Sequence, residues 1–215
     1  MSKSKYIITI TRQFGSMGRP IAQKLADILD IEYYDRALID MAAERLGLPS
    51  EQIGSEEESA EKQHGVMERI GGAHYTSFYE RMAYPLGTKS SAMQDQIFET
   101  QKNLIQFLAE KDTCVIVGRC SDFVLSESEN AMHVYIYASF EERLRHSMED
   151  LKLSEDEARR MISKVDQARD NYHMNYAGYK PDDKRFKDIM IDSSFLGIDG
   201  TAEYLAEAVR RKFGA

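Results

Sequence analysis

Residues 11–29 read TRQFGSMGRPIAQKLADIL. An alternating β-branched run, YIITIT at 6–11, precedes and overlaps the stretch and predicts a strand. From Pro20 to Leu29 the apolar residues Ile21, Leu25, Ile28 and Leu29 fall on one helical face. Pro is accommodated in a first helical turn, where its missing N–H would be unpaired anyway. Strand, glycine-bearing turn and helix therefore follow in order. Such a loop binds phosphate by pointing consecutive backbone N–H groups at an anion above the helix N-terminus, with glycine where a side chain would block the approach. Gly15, Ser16 and Gly18 meet that need. In the full pattern GxxxxGK[ST], a Lys then reaches the β/γ phosphates and a hydroxyl helps to hold Mg²⁺. Aligned on Gly18, this chain has Gln13 at the first glycine, Arg19 at the Lys and Pro20 at the hydroxyl. Arg keeps the charge but replaces a compact ammonium with a planar fork. On these residues alone, the stretch is either a remodelled phosphate site or a tight turn with a surface Arg.

The bulk composition narrows the setting. A chain of 215 residues suits one sizeable α/β core with a small inserted subdomain, not two large domains. No apolar run approaches the roughly 20 residues that span a bilayer. The start, MSKSKYIITIT, passes directly into a strand pattern without a signal-peptide cleavage site, so the expected location is the cytoplasm. Two cysteines, Cys114 and Cys120, make no disulfide framework, and five scattered His show no metal-ligand spacing. The formal net charge of −8 disfavours nucleic-acid backbones. Any anionic ligand must be drawn by a local basic pocket, which suits a small phosphorylated molecule.

Short β-rich runs alternate with helical patterns, as in βαβ units around a parallel sheet. IEYYD at 31–35 predicts a second strand, TCVIVG at 113–118 a third, HVYIYAS at 133–139 a fourth and DIMID at 188–192 a fifth. LIDMAAERLGL predicts a helix stopping near Gly47, and residues 92–111 a long amphipathic helix. The acidic stretch 49–63 carries no assignable chemistry, and 66–91 is aromatic and irregular. From Phe140 onward a long, charged segment predicts continuous helix to about His173, and a C-terminal helix starts near Thr201. Arg143, Arg145, Arg159 and Arg160 are expected to be solvated helix-surface charges.

Three strand ends present charge to one edge. YYDRALID places Asp35 and Arg36 after the second strand, and VIVGRCSDF places Arg119 and Asp122 after the third. In open α/β sheets that carboxyl edge is where ligands bind. Taken singly, Asp35 is equally a helix cap and Arg36 a surface ion pair.

The order ITITRQFGSMGRPIAQKLADIL, YYDRALI, VIVGRCSDFVL, VYIYASFEERLRH, KVDQARDNY and IMIDSSFLGIDGTAEYLAEAV resembles the cytidylate kinase-like branch of the P-loop nucleoside monophosphate kinases. The resemblance spans nearly the whole chain and is weakest from about 49 to 91. It implies an α/β, three-layer P-loop kinase fold with a five-stranded parallel sheet. It also implies a helical acceptor subdomain inserted at about 36–111 and a helical lid at about 143–185, all within one domain. The implied chemistry is transfer of the γ-phosphoryl group of ATP, with Mg²⁺, to CMP or dCMP. GRCSDF is similar to a GRDMGT stretch that binds the acceptor: Arg119 matches, Cys120 replaces the acid, and Asp122 follows two positions later. Asp35 matches the acid of an LDTG or LDSG stretch, whereas Met41 stands where an Arg is expected. Lys164, Arg169 and Asp170 resemble a basic lid segment that closes over phosphates.

The expected assignments are therefore Gln13, Phe14, Gly15, Ser16, Met17, Gly18 and Arg19 around the ATP phosphates. Arg19, Lys164 and Arg169 are the catalytic cations, and Asp35, Arg36, Arg119, Asp122 and Asp170 lie on the acceptor side. No metal ligand is identifiable. The expected function is an ATP-dependent phosphotransferase acting on a small nucleotide or other phosphate-bearing acceptor. The alternative is a nucleotide- or phosphate-binding module that has lost catalysis.

Overall fold

Ile7–Arg12 forms β1, the centre of the sheet, and its first five residues are all buried. A run of β-branched residues suits this position, because both faces of a central parallel strand are covered and stiff branched side chains pack well on the pleat. The computed structural model describes residues 5–35 and 91–214. The predicted helix at 38–48, the acidic stretch 49–63, the aromatic stretch up to residue 90, Arg36 and Met41 lie outside them. The expected inserted subdomain is thus described only from residue 91.

After β1 the chain passes through a loop into α1 (Gly18–Leu29) and returns as β2 (Glu32–Tyr34). The next described elements are α2 (Ser91–Lys111), β3 (Cys114–Val117) and the single turn α3 (Ser121–Val124). They are followed by β4 (Ala131–Tyr137), α4 (Phe140–Leu151), α5 (Glu155–Ala177), β5 (Ile189–Asp192) and α6 (Ser193–Phe213). The five strands form one sheet in the order β2-β3-β1-β4-β5, with every pairing parallel. Ile8 pairs with Val115 on one side and Met132 on the other.

Parallel neighbours need crossovers that pack back onto the sheet, and these supply the two outer layers. On one face Ile21 and Leu25 of α1 and Leu205 and Val209 of α6 meet Ile8, Ile10, Val117 and Ile136. On the other, Leu104, Ile105 and Leu108 of α2 cover Ile7, Cys114 and Ile116. Each such fully buried aliphatic side chain contributes about 1.5–3 kcal/mol. A third cluster lies above the sheet edge, where Met161, Ile162 and Val165 of α5 pack with Phe14.

Two boundaries differ from expectation. The predicted continuous helix from Phe140 is two helices, because Lys152 is left-handed (φ 55°) and Ser154 starts a new one. Glu157 accepts from the Ser154 N–H at 2.9 Å, as in a capping box. The S-x-x-E spacing carried that signal, and the charged texture of the segment masked it. The last helix begins at Ser193, not Thr201, with Asp192 accepting from the Ser194 N–H at 2.9 Å and a kink at Gly197 (φ 66°).

The far end of the α4–α5 hairpin is tied to the sheet through Asp122. Between β3 and α3, Gly118, Arg119 and Cys120 are all left-handed, with φ of 81°, 59° and 53°. Left-handed backbone costs a non-glycine residue roughly 1–2 kcal/mol, so this turn must be held by what surrounds it. Asp122, 1% exposed, accepts from His173 Nε2 at 3.0 Å and from Lys187 Nζ, with the Tyr179 hydroxyl at 3.4 Å. Burial alone would raise this carboxyl, but the hydrogen bond and charge of His173, together with Lys187, outweigh it and hold the carboxyl at about 2.

Removing the carboxylate strands the buried Lys187 ammonium and leaves the buried His173 ring without its acceptor, so Asp122→Ala is expected to lose about 3–5 kcal/mol in urea unfolding. Because the folded carboxyl binds its proton less readily than the unfolded one, its contribution is complete above the ordinary Asp value of 3.8. It is lost as pH falls towards about 2. Melts from pH 6 to 2 should show this acid dependence in the wild type and not in Asp122→Asn; an identical slope in both would remove Asp122 as its source.

Candidate functional site

All five strands end at one edge of the sheet, and the loop 13–17 sits over its centre. Its shape is set by two left-handed residues, Gly15 (φ 76°) and Met17 (φ 58°). A Cβ at Gly15 would lie 2.7 Å from the Arg143 carbonyl oxygen, so only glycine fits there. The inward side of the loop is bonded through side chains. The Ser16 hydroxyl donates to the carbonyls of Gln13 (2.9 Å) and Ile136 (3.2 Å), and the Ser193 hydroxyl to the Ser16 carbonyl (2.7 Å). The Ala138 N–H donates to Gln13 Oε1 at 3.3 Å, and His146 Nδ1 lies 3.0 Å from the Gly15 carbonyl.

The outward side is different. The first hydrogen bond of α1 runs from the Ile21 N–H to the Met17 carbonyl at 3.0 Å. Among the described residues no acceptor takes the N–H groups from Gly15 to Arg19. Orphan donors at a helix start, reinforced by the helix dipole, attract an anion. The open run is shorter than the expected 13–19. The Gln13 N–H donates to the Ile136 carbonyl at 3.0 Å and the Phe14 N–H to Asp166 Oδ1 at 2.8 Å. Gln13 thus carries a side chain at the first-glycine position without blocking the loop, because that side chain points to Ala138.

Arg19 is half-exposed in the first turn of α1, and its guanidinium pairs with the buried carboxylate of Asp35 just beyond β2. The Tyr33 hydroxyl donates to the same carboxylate at 3.4 Å. Burial and then the Asp35 charge push the Tyr33 phenol up, while Arg19 and Arg12 oppose them. The loop and the end of β2 are therefore joined by an ion pair. The end of β3 comes to the same place: a Cβ on Gly118 would lie 2.6 Å from Arg12 Nη1, and Arg119 follows directly.

From above, the α4–α5 hairpin grips the loop. Asp166 accepts from the Phe14 N–H and from Arg143 Nη1 at 2.6 Å, and Arg143 is 6% exposed. Burial raises the Asp166 carboxyl, with the Phe14 N–H and Arg143 only partly offsetting it. Arg169 Nη1 donates to the Arg12 carbonyl at 3.0 Å, its guanidinium 6.0 Å from the Phe14 ring centre.

Among the expected residues, the structure gathers Gly15–Arg19, Asp35 and Arg169 at the loop, with Arg119 beside Gly118. Lys164 is half-buried on α5. Asp170 pairs with the exposed Lys180 at 2.9 Å, and Asp122 is enclosed by His173 and Lys187 instead of facing the edge. Cys120 is buried, and burial pushes its thiol up, away from reactivity. The Tyr-rich end of α5 packs on protein: Tyr176 stacks on Phe98 at 4.0 Å and Tyr179 on Phe186 at 3.8 Å. Arg145 and Arg159 are surface charges paired with Glu142 and Glu155, as expected, whereas Arg143 is buried in the loop contact.

Sequence reasoning missed Arg12, Arg143, His146 and Asp166. A charge closing a buried central strand was a readable signal for Arg12; the other three lie in a charged segment whose pattern does not single them out. Among the described residues no group of three acidic, His or Cys side chains forms a metal site. Pro20 supplies no hydroxyl and that of Ser16 is turned inward, which leaves Asp35 as the carboxylate beside Arg19 at the loop mouth. Magnesium is commonly held by one or two carboxylates with phosphates and waters, so this donor set fits a nucleotide-borne ion and not a protein cage. Among the described residues, no helix is long and apolar enough to cross a membrane.

Comparison with known proteins agrees with this architecture. A crystal structure of an uncharacterized protein from Eubacterium ventriosum ATCC 27560 is 26% identical, covers 95% of this chain and 98% of that one, and gives a TM-score of 0.69. TT1252 from Thermus thermophilus is 17% identical over 98% of each chain with a TM-score of 0.54. Shikimate kinase from Bacteroides thetaiotaomicron is 12% identical over 96% of this chain and 99% of its own, with a TM-score of 0.52. The last two likenesses concern the fold alone. No curated protein matches the chain. The model of the cytidylate kinase-like family matches residues 7–195. The chain belongs to the cytidylate kinase-like family.

Proposed function

We propose that the protein is an ATP-dependent phosphotransferase of the nucleoside monophosphate kinase type. The observation that carries this is the run of open N–H groups from Gly15 to Arg19, joined through the Arg19–Asp35 pair to the neighbouring strand end. Donor and acceptor must meet within bonding distance, and adjacent strand ends of one edge place their binding groups side by side. The open amides seat the β and γ phosphates, and Arg19 turns from Asp35 to the donor. Asp35 and Arg119 then face the acceptor, with Arg36 as a further acceptor-side cation. The family description favours CMP or dCMP; another small phosphate or hydroxyl acceptor suits the same groups.

In the transfer, the bond between the γ phosphorus and the bridging oxygen breaks as a bond forms to the acceptor oxygen, and ADP leaves with the electron pair. A loose transition state of this kind asks the protein for positioning and charge, not for a covalent intermediate. Mg²⁺ arriving with ATP would neutralise phosphate charge, held by the nucleotide and Asp35. The hairpin from about 143 to 185 acts as the lid, and closure over the loop excludes water that would hydrolyse ATP. Arg169 and Lys164 are its cations, Asp170 anchors its end, and the Asp166 contacts with Phe14 and Arg143 fix its closed position.

A second reading has its own support. With Pro20 at the hydroxyl position and Arg19 bound to Asp35, the same site serves a nucleotide-binding module without catalysis. Acceptor-dependent release of ADP, screened across nucleoside monophosphates, nucleosides and small phosphorylated acceptors, separates the two. Turnover with one acceptor class is expected; ATP binding without turnover on any acceptor favours the binding module, and no nucleotide binding removes both.

Arg19→Ala is expected to weaken ATP binding about 10- to 100-fold, the worth of a charged hydrogen bond, with incomplete recovery in Arg19→Lys. Calorimetric titration showing unchanged affinity would place Arg19 away from the phosphates. Arg169→Ala is expected to lower kcat at least tenfold with ATP affinity within about twofold, because a lid cation acts on the transferring group. The reverse pattern would move Arg169 to donor binding.

A further inference from the structure

Among the described residues no acceptor takes the N–H groups of Ser16, Met17 and Gly18, and each of the three shares a peptide with a carbonyl that is held. The Gly15 carbonyl lies 3.0 Å from His146 Nδ1. The Ser16 carbonyl accepts from the Ser193 hydroxyl at 2.7 Å, and the Met17 carbonyl from the Ile21 N–H at 3.0 Å. A peptide unit is planar and trans, so its N–H and C=O point in opposite directions. Fixing a carbonyl therefore aims the N–H of the next residue. The second and third carbonyls are held by α6 and α1, whereas the first is held by α4, from the hairpin.

The neighbours of His146 fix its tautomer. A carbonyl oxygen only accepts, so Nδ1 carries the proton; Nε2 lies 2.9 Å from Arg145 Nη2, and a guanidinium only donates, so Nε2 offers its lone pair. The Glu142 carboxylate, 3.7 Å from Nε2, is engaged by Arg145 at 2.6 Å, and Glu149 holds the same guanidinium at 2.8 Å. The peptide at the other end has no stiffness of its own. Glycine takes positive and negative φ with similar ease, and Gly15 stands at φ 76°. A turned Gly15–Ser16 peptide would reverse the Ser16 N–H. Arg143, three residues before His146 on α4, places its carbonyl oxygen 2.7 Å from where a Gly15 Cβ would be. One helix face thus crowds Gly15 and bonds its carbonyl.

We infer that His146 is a positioning residue for the phosphate chain of the donor: its Nδ1–H fixes the Gly15–Ser16 peptide and so aims the Ser16 N–H away from α4, towards the bound phosphates. The inference rests on the phosphotransferase reading of the same loop. His146 touches no phosphate and acts through the peptide that it holds. Of the three amides, the one at Ser16 therefore depends on where the hairpin sits, and those at Met17 and Gly18 do not.

Calorimetric titration of the Mg²⁺ complexes of ATP and of tripolyphosphate into the full chain tests this. In His146→Phe, which keeps a ring but loses both nitrogens, affinity for both ligands should fall about five- to tenfold, the worth of one hydrogen bond. An Asn amide nitrogen stands where Nδ1 does and a Gln amide nitrogen where Nε2 does. His146→Asn should therefore return to within about threefold of the wild type, and His146→Gln should not. In the wild type, ¹⁵N spectra of the ring should show the proton on Nδ1. Circular dichroism reports whether each variant is folded; should His146→Phe fail to fold, the Asn and Gln pair and the ring spectra decide the matter. A ring protonated on Nε2 alone, equal affinities in the Asn and Gln variants, or unchanged affinity in His146→Phe would overturn the inference while leaving the phosphotransferase reading intact. Binding of neither ligand by the wild type would overturn both.

Discussion

The structure depends on a loop that satisfies its inward polar groups and leaves its outward ones open. Ser16, Gln13, Ser193 and Ala138 take up the inward carbonyls, hydroxyls and one amide side chain, and among the described residues no acceptor takes the five N–H groups from Gly15 to Arg19. Buried backbone groups must be paired, and this loop meets that demand with partners from β4 and from the junction of β5 and α6. The left-handed Gly15 and Met17 are the backbone consequence. Backbone strain of this sort persists where the surroundings over-determine it, and such places are often functional.

From that constraint the charge arrangement follows. Open amides and the N-terminus of α1 are a positive field, and Arg19 is added to it, paired with Asp35. The protein carries a net charge of −8, so the cleft is a local reversal and not an overall property. Local reversal suits a small polyphosphate, which enters a pocket, better than a nucleic-acid backbone, which needs an extended basic face.

The hairpin above the cleft is held at two ends by different chemistry. Near the loop, Asp166 bridges the Phe14 N–H and Arg143 in a partly buried contact. At the far end, Asp122 is enclosed by His173, Lys187 and Tyr179, and this knot also supports the left-handed turn that carries Arg119. The far contact is buried and costly to break.

The sequence by itself determined the architecture, because each strand announces itself locally. IITITR and CVIV are apolar runs bounded by turn residues, and Pro20 to Leu29 has a helical period with Gly18 at its start, so the parallel α/β sheet was readable. The strand–loop–helix order of 7–29 and the place of Asp35 after the second strand were readable too, because both are fixed by chain order. The sequence did not reveal that Asp122 is buried and Arg143 enclosed, or that Lys152 breaks one charged segment into two helices. Nor did it show that Arg12 crosses to Gly118. Those outcomes depend on which distant residue lies opposite, His173 for Asp122 and Asp166 for Arg143, and a charge on a helix reads the same whether it meets water or a partner. Tertiary packing alone decided which charges lost their water, because desolvation is a property of the neighbours and not of the residue.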